Sequence, residues 1–214
     1  METREEQLRK SMVDYGLKLQ GGGLVFGRLG NISVRLDEKH MLITPLGSVF
    51  TELLPQNIVI VNYYHLTYRL SAKPSSECGL HASIYRARPE ANAIIHTHSP
   101  NASVLAASGR NLPFVSDDVR KYLGGASRVA DYAIQGTKKQ NRNALRALTD
   151  RNGCFLSSHG TVVFGANIAD AFKACKVMED ASAEYIKKEI MYFSGKSEIS
   201  VRDVFALFAE RKNN

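Results

Sequence analysis

Two of the six histidines in this 214-residue chain stand two positions apart at the end of an apolar run, IIHTHSP (94–100). On a strand, residues i and i+2 point to the same face with Cα atoms about 6.6 Å apart, so His96 and His98 could converge on one metal ion. A third imidazole, His159, lies between Ser158 and Gly160, where glycine would let the chain turn sharply and leave room beside a metal. A catalytic zinc takes three protein ligands and keeps a further position for water or substrate. Each histidine also has a plainer reading: an HxH pair can be a surface pair, and a histidine before glycine a turn residue. His40 and His65 have no such context and are assigned to the surface.

A carboxylate that could move protons beside such an ion is Glu77, in KPSSE (73–77). The segment SSECGLHASIYRARPE reads as a helix with Ser75 or Ser76 at its N-cap, Glu77 in its first turn and Pro89 ending it. The helix dipole favours a carboxylate there whatever its function. The serine hydroxyls and free N–H groups of such an end also make an anion site. His81, one turn after Glu77, could orient the carboxylate or be an ordinary core histidine. A second anion cradle is possible at the glycine-containing turn Gly27–Asn31.

The elements that must position these residues follow from the apolar pattern. Residues 3–20 read as a helix, with the Thr3/Glu6 spacing of a capping box, a stripe of Leu8, Met12, Tyr15 and Leu19, and Gly21-Gly22-Gly23 as its stop. LVFGRLGNISVRL reads as two short strand pieces, HMLITPLGSVF as a strand ending in a Pro-x-Gly turn, and NIVIVN with HLTYRL as hairpin arms. ANAIIHTH is a strand and 100–108 a short helix, with 109–140 mixed. NRNALRALTDRNG reads as a helix closed by Gly153, and CFLSSHGTVVFG as two strands with His159-Gly160 at the corner. Asn167 caps a long helix with Ile168, Ala171, Cys175, Met178, Ser182 and Tyr185 on one face, ending at Gly195. A last short helix starts at Ser200. Helices flanking mostly antiparallel strands predict a single domain, either α+β or a three-layer α/β/α fold with a largely antiparallel central sheet.

Composition excludes several classes. Cys78, Cys154 and Cys175 are odd in number, widely spaced and without a CxxC, so a disulfide framework is not expected; buried or half-buried thiols in a reducing cytoplasm fit. The start, METREEQLRK, lacks the apolar core of a signal peptide. No apolar run nears the roughly 20 residues of a membrane span. The net charge of +7 is spread along the chain without an aromatic-basic ribbon, which speaks for a solvated surface or anionic small molecules rather than nucleic acid.

KPSSE (73–77), HASIYRARPEANAIIHTHSP (81–100) and SSHGTVVFG (157–165), with LGNISVR (29–35) and LITPLG (42–47) before them, together resemble the class II aldolase/adducin N-terminal family in order and spacing, over about residues 7–193. The resemblance implies a catalytic zinc, or another divalent ion, on His96, His98 and His159, and Glu77 as the acid/base. It implies a phosphate pocket from Gly30, Asn31, Gly47, Ser75 and Ser76, and a fourfold homotetramer with the site at a subunit boundary.

The chain also departs from the family's sugar-phosphate aldolases. Leu46 replaces a threonine in the TPxG turn, and Arg28 replaces one before GN; arginine can grip a carboxylate or phosphate with two hydrogen bonds. Asp117 and Asp118 stand where a neighbouring subunit's tyrosine is expected, with Tyr122 the nearest substitute, and the C-terminal end lacks a tyrosine-bearing tail.

The activity implied is cleavage of a phosphorylated ketose such as L-fuculose 1-phosphate through a metal-stabilised enediolate. Decarboxylation of a 3-oxo sugar acid phosphate, favoured by Arg28 and Lys121, is the alternative, and a non-catalytic adducin-like scaffold a third.

Overall fold

The computed structural model describes residues 2–68, 72–113 and 116–195. The first helix, α1 (Arg4–Gly21), opens on the expected capping box: the Glu6 N–H donates to Thr3 Oγ1 at 3.2 Å and the Thr3 N–H to Glu6 Oε2 at 2.8 Å. Then follow β1 (Asn31–Arg35), β2 (His40–Ile43), β3 (Val59–Asn62), β4 (Thr67–Tyr68), α2 (Cys78–Ala87), β5 (Ala93–Thr97), α3 (Pro100–Ser108), α4 (Asp117–Leu123), β6 (Val129–Ala130), α5 (Lys138–Ala147), β7 (Gly153–Leu156), β8 (Gly160–Gly165) and α6 (Ile168–Ser194). The strands form one sheet in the order β4-β3-β2-β1-β5-β8-β7-β6. Every pairing is antiparallel except β6 with β7.

Side chains alternate across the sheet into two cores. Ile32, Val34, Ala93 and Ile95 pack with Met12 and Leu19 of α1, Leu105 of α3, Leu123 of α4 and Met178 of α6. Ile94, Val162 and Leu156 pack on the opposite face with Leu80 and Ile84 of α2 and Ala144 of α5. This is the predicted three-layer α/β architecture. On α6 the predicted face is buried from Ile168 through Ser182, and Tyr185 packs at its edge. The three cysteines are free and buried. No helix of the described residues is long and apolar enough to cross a membrane.

Several boundaries differ from expectation. Of LVFGRLGNISVRL only Asn31–Arg35 is a strand: left-handed backbone at Gly27 (φ 56°) and Gly30 (φ 117°) breaks the first piece, so Leu24 and Val25 enter the core from a loop. In α2 neither serine caps the helix; Glu77 occupies the N-cap and spends no side-chain hydrogen bond on it. Helix α5 begins three residues earlier than expected, on Thr137. Gly153 opens β7 instead of closing α5. The second hairpin arm pairs at Thr67 and Tyr68; its Arg69 and Leu70, and the helix expected from Ser200, lie outside the described residues.

Candidate metal centre

His96 follows Ile94 by two residues, so it faces the α2/α5 side of the sheet, and His98 continues the same face just past the end of β5. His159 reaches them from the β7–β8 turn. Two local features hold it there. Ser158 takes a left-handed backbone (φ 55°), which costs an L-residue about 1–2 kcal/mol. Gly160 is needed for close approach rather than for a turn: a Cβ on it would lie 2.4 Å from the Thr97 carbonyl oxygen and within 3.4 Å of both His96 and His98. The three rings close into a triangle with centroids 4.7–4.8 Å apart.

The lone pairs point inward. His96 Nδ1 lies 2.8 Å from the Thr161 carbonyl oxygen, which can only accept, so Nδ1 carries the proton and Nε2 is the free nitrogen of the neutral ring. That Nε2 is 2.8 Å from His98 Nε2 and 2.9 Å from Glu77 Oε2. Burial, reinforced by His96 and His159, holds His98 neutral by pushing its pKa down to about 4, and burial likewise depresses His159. His98 Nε2 and Glu77 Oε2 both crowd against His96 Nε2, and all three atoms can act as acceptors, so the cluster calls for a cation. Burial alone would push the Glu77 carboxyl up, but His96, then His159 and the Asn31 amide, hold it well below the usual carboxylate range. Against burial, Glu77 in turn raises His96. Neutral imidazoles backed by a carbonyl, with a carboxylate alongside, fit a borderline divalent ion such as zinc.

The chain as a whole is similar to known proteins in sequence and fold. Residues 10–186 match the family model for the class II aldolase and adducin N-terminal domain. The chain belongs to that family. It is 35% identical over 178 residues to a 5-methylthioribulose-1-phosphate/5-deoxyribulose-1-phosphate aldolase of Rhodospirillum rubrum, covering 83% of this chain and 80% of the relative. To the L-fuculose phosphate aldolase of Escherichia coli K12 it is 30% identical over 182 residues, covering 84% and 83%. A solved L-fuculose 1-phosphate aldolase superposes with a TM-score of 0.82 at 30% identity, over 100% of this chain and 99% of that one.

The segments expected to hold a phosphate also come together, in part. Thr44 ties them: its N–H donates to the Ile32 carbonyl, its Oγ1 accepts from the Ile32 N–H, and its carbonyl accepts from the Ser75 N–H at 3.0 Å. The Leu46 N–H donates to the Lys73 carbonyl, and Arg28 Nη1 to the Gly47 carbonyl at 3.2 Å. Arg28, Gly47 and the segment carrying Ser75 and Ser76 are thereby linked to one another, and Gly30 packs on the backbone of His96, where a Cβ would lie 2.8 Å from its carbonyl oxygen. Ser75 is buried with its Oγ accepting the Glu77 N–H at 3.3 Å, while Ser76 is exposed. Asn31 does something else. It pairs with His96 across β1 and β5, and its Nδ2 donates to Glu77 Oε2 at 3.0 Å, so its amide is turned on the carboxylate rather than on an anion pocket.

Tyr122 is not brought to the centre within one chain. It packs on the α6 face of the sheet, its ring 5.1 Å from Lys121 Nζ and 5.8 Å from Lys173 Nζ. Asp117 and Asp118 form the first turn of the same helix α4. His81 is the core histidine of the two readings: Nδ1 is 2.7 Å from Ser33 Oγ, which is 2.9 Å from Tyr85 OH, and burial pushes its pKa down to about 3. Sequence reasoning missed Gln140, whose Nε2 is 3.3 Å from both Glu77 Oε1 and His159 Nδ1. Its signal was a polar residue three positions after the Thr137 cap, on the helix's inner face.

Proposed function

We propose that this chain is a metal-dependent aldolase that cleaves a ketose 1-phosphate into dihydroxyacetone phosphate and an aldehyde. The observation that carries the reading is the buried contact of Glu77 Oε2 with His96 Nε2, 2.9 Å, at the centre of the three-imidazole cluster. His96, His98 and His159 would hold the ion, zinc first among the candidates, which when bound supplies Lewis-acid stabilisation of negative charge on oxygen. Breaking the C3–C4 bond of the ketose removes the proton of the C4 hydroxyl, whose oxygen becomes the aldehyde carbonyl, and leaves the bond's electron pair on the three-carbon fragment as an enediolate. Glu77 handles the proton that must be placed on that carbon before the fragment leaves as dihydroxyacetone phosphate. The Gly30, Gly47, Ser75 and Ser76 segments, with the Arg28 guanidinium at their edge, orient the phosphate. The similarity to the Rhodospirillum aldolase favours a 5-deoxypentulose phosphate over L-fuculose 1-phosphate. The family's tetramer is adopted as the assembly, of single-domain cytoplasmic subunits, and Tyr122 contributes to catalysis only from a neighbouring subunit.

The test is a panel of 5-deoxyribulose 1-phosphate, 5-methylthioribulose 1-phosphate, L-fuculose 1-phosphate and a 3-oxo sugar acid phosphate, with coupled detection of dihydroxyacetone phosphate and of carbon dioxide. Release of dihydroxyacetone phosphate from one of the ketoses is expected. Carbon dioxide from the acid alone would replace the aldolase with a decarboxylase, and no turnover with no bound metal would leave a scaffold.

A further inference from the structure

We propose that Gln140 is a positioning residue that fixes the Glu77 carboxylate and the His159 ring relative to each other. The inference rests on the roles just given to those two groups. Gln140 is 4% exposed, on the inner face of α5 beside Ala144. Its Oε1 accepts the Gly136 N–H at 2.7 Å, which fixes the sense of the amide. The Nε2 amide group therefore donates to Glu77 Oε1 at 3.3 Å and packs against the edge of the His159 ring, 3.3 Å from Nδ1, while Oε1 and Nδ1 are 3.8 Å apart. The anchor is itself docked on the segment that carries Glu77: Gly136 is left-handed (φ 76°), and a Cβ there would be 3.4 Å from the Ser76 carbonyl oxygen. The Gln140 N–H is held by Thr137 Oγ1 at 3.2 Å. Backbone and both ends of the amide are thus tied down.

An apolar side chain would satisfy the helix face at this position but would leave Glu77 Oε1 without a donor in a low-dielectric site. Asn31 holds the other oxygen, so two neutral amides from β1 and α5 grip the carboxylate, one per oxygen. Neutral donors fix its direction without bringing a counter-charge against the ion. Gln140 also lines, with Asp131, Leu156 and Ser157, the small cleft against His159, so its loss would loosen the wall nearest the third ligand.

The experiment compares Gln140→Met and Gln140→Glu with wild type, as full-length protein. Methionine matches the length and removes the donor; glutamate keeps an acceptor for Gly136 but offers no donor to Glu77. With the ketose phosphate that wild type cleaves, both variants are expected to lose kcat by about 10- to 100-fold with KM changed less than about threefold. Loaded with cobalt(II), Gln140→Met is expected to show an altered d–d spectrum and about 10-fold weaker affinity. Wild-type kcat in Gln140→Glu, a loss confined to KM, or an unchanged cobalt spectrum and affinity in Gln140→Met would overturn the inference. If Gln140→Met fails to fold, the glutamate variant decides. If wild type cleaves no ketose phosphate, the proposed function falls and the cobalt readout alone judges Gln140.

Discussion

Glu77 is 1% exposed and yet ionised, because His96, then His159 and the Asn31 amide, outweigh the burial that would protonate it. A carboxylate so held is a base in waiting. Replacing it by glutamine keeps the shape and the hydrogen bond from Asn31 but removes the proton acceptor. Glu77→Gln is therefore expected to lower kcat by about 10²- to 10⁴-fold, with close to one metal per chain still found by elemental analysis; near-normal turnover with metal bound would remove the acid/base role. The histidines divide differently. His98→Ala leaves two imidazoles and should lose the metal itself under dialysis. Chelation of wild type should abolish turnover, and zinc should restore it in wild type but not in His98→Ala.

At the scale of elements, the centre is made by close approach of β8 to the end of β5, and Gly160 permits it. A Cβ 2.4 Å from the Thr97 carbonyl must push β8 away and take His159 with it. Gly160→Ala is expected to cost about 1–3 kcal/mol in denaturant unfolding and to lower metal occupancy. Gly109 is the control: it caps α3 with a left-handed φ of 69° and nothing within 4 Å of a Cβ, so Gly109→Ala should cost about 1 kcal/mol and leave metal content intact. The same elements show what the chain made legible. HxH on an apolar run and Thr3-x-x-Glu6 are local patterns with local consequences, and both form as read. The Glu77 N-cap, the turn of Asn31 toward the carboxylate and the Gln140 bridge depend on which strands pair and where α5 starts. β1 pairs with β5 across 57 intervening residues in the sequence, bringing Asn31 opposite His96, and no periodicity near Asn31 carries that information.

For the whole molecule, the sheet separates an almost wholly apolar core on the α1/α3/α4/α6 side from a face that buries Asn31, Ser33, Glu77, His81, His96 and Gln140 together. That arrangement makes stability depend on pH through histidines kept neutral by burial. His81 is the cleanest case: it is 0% exposed, bonded to Ser33, and its pKa falls from an unfolded value near 6.5 to about 3. Below pH 6.5 the unfolded chain binds a proton there that the folded chain refuses, so stability falls with pH until the folded value is reached. At pH 4.5 the penalty from this residue is roughly 2–3 kcal/mol. His98, with a pKa of about 4, acts in the same direction, while His96, raised by Glu77, opposes it. Substituting His81 by glutamine leaves Ser33 an acceptor and removes one titrating group. Metal-free His81→Gln should start about 1 kcal/mol less stable at pH 7 but lose roughly 2–3 kcal/mol less than wild type between pH 6.5 and 4.5, as urea unfolding at each pH would measure. Parallel curves for the two proteins would mean that His81 takes up its proton in the fold, and that burial on this face does not keep it neutral.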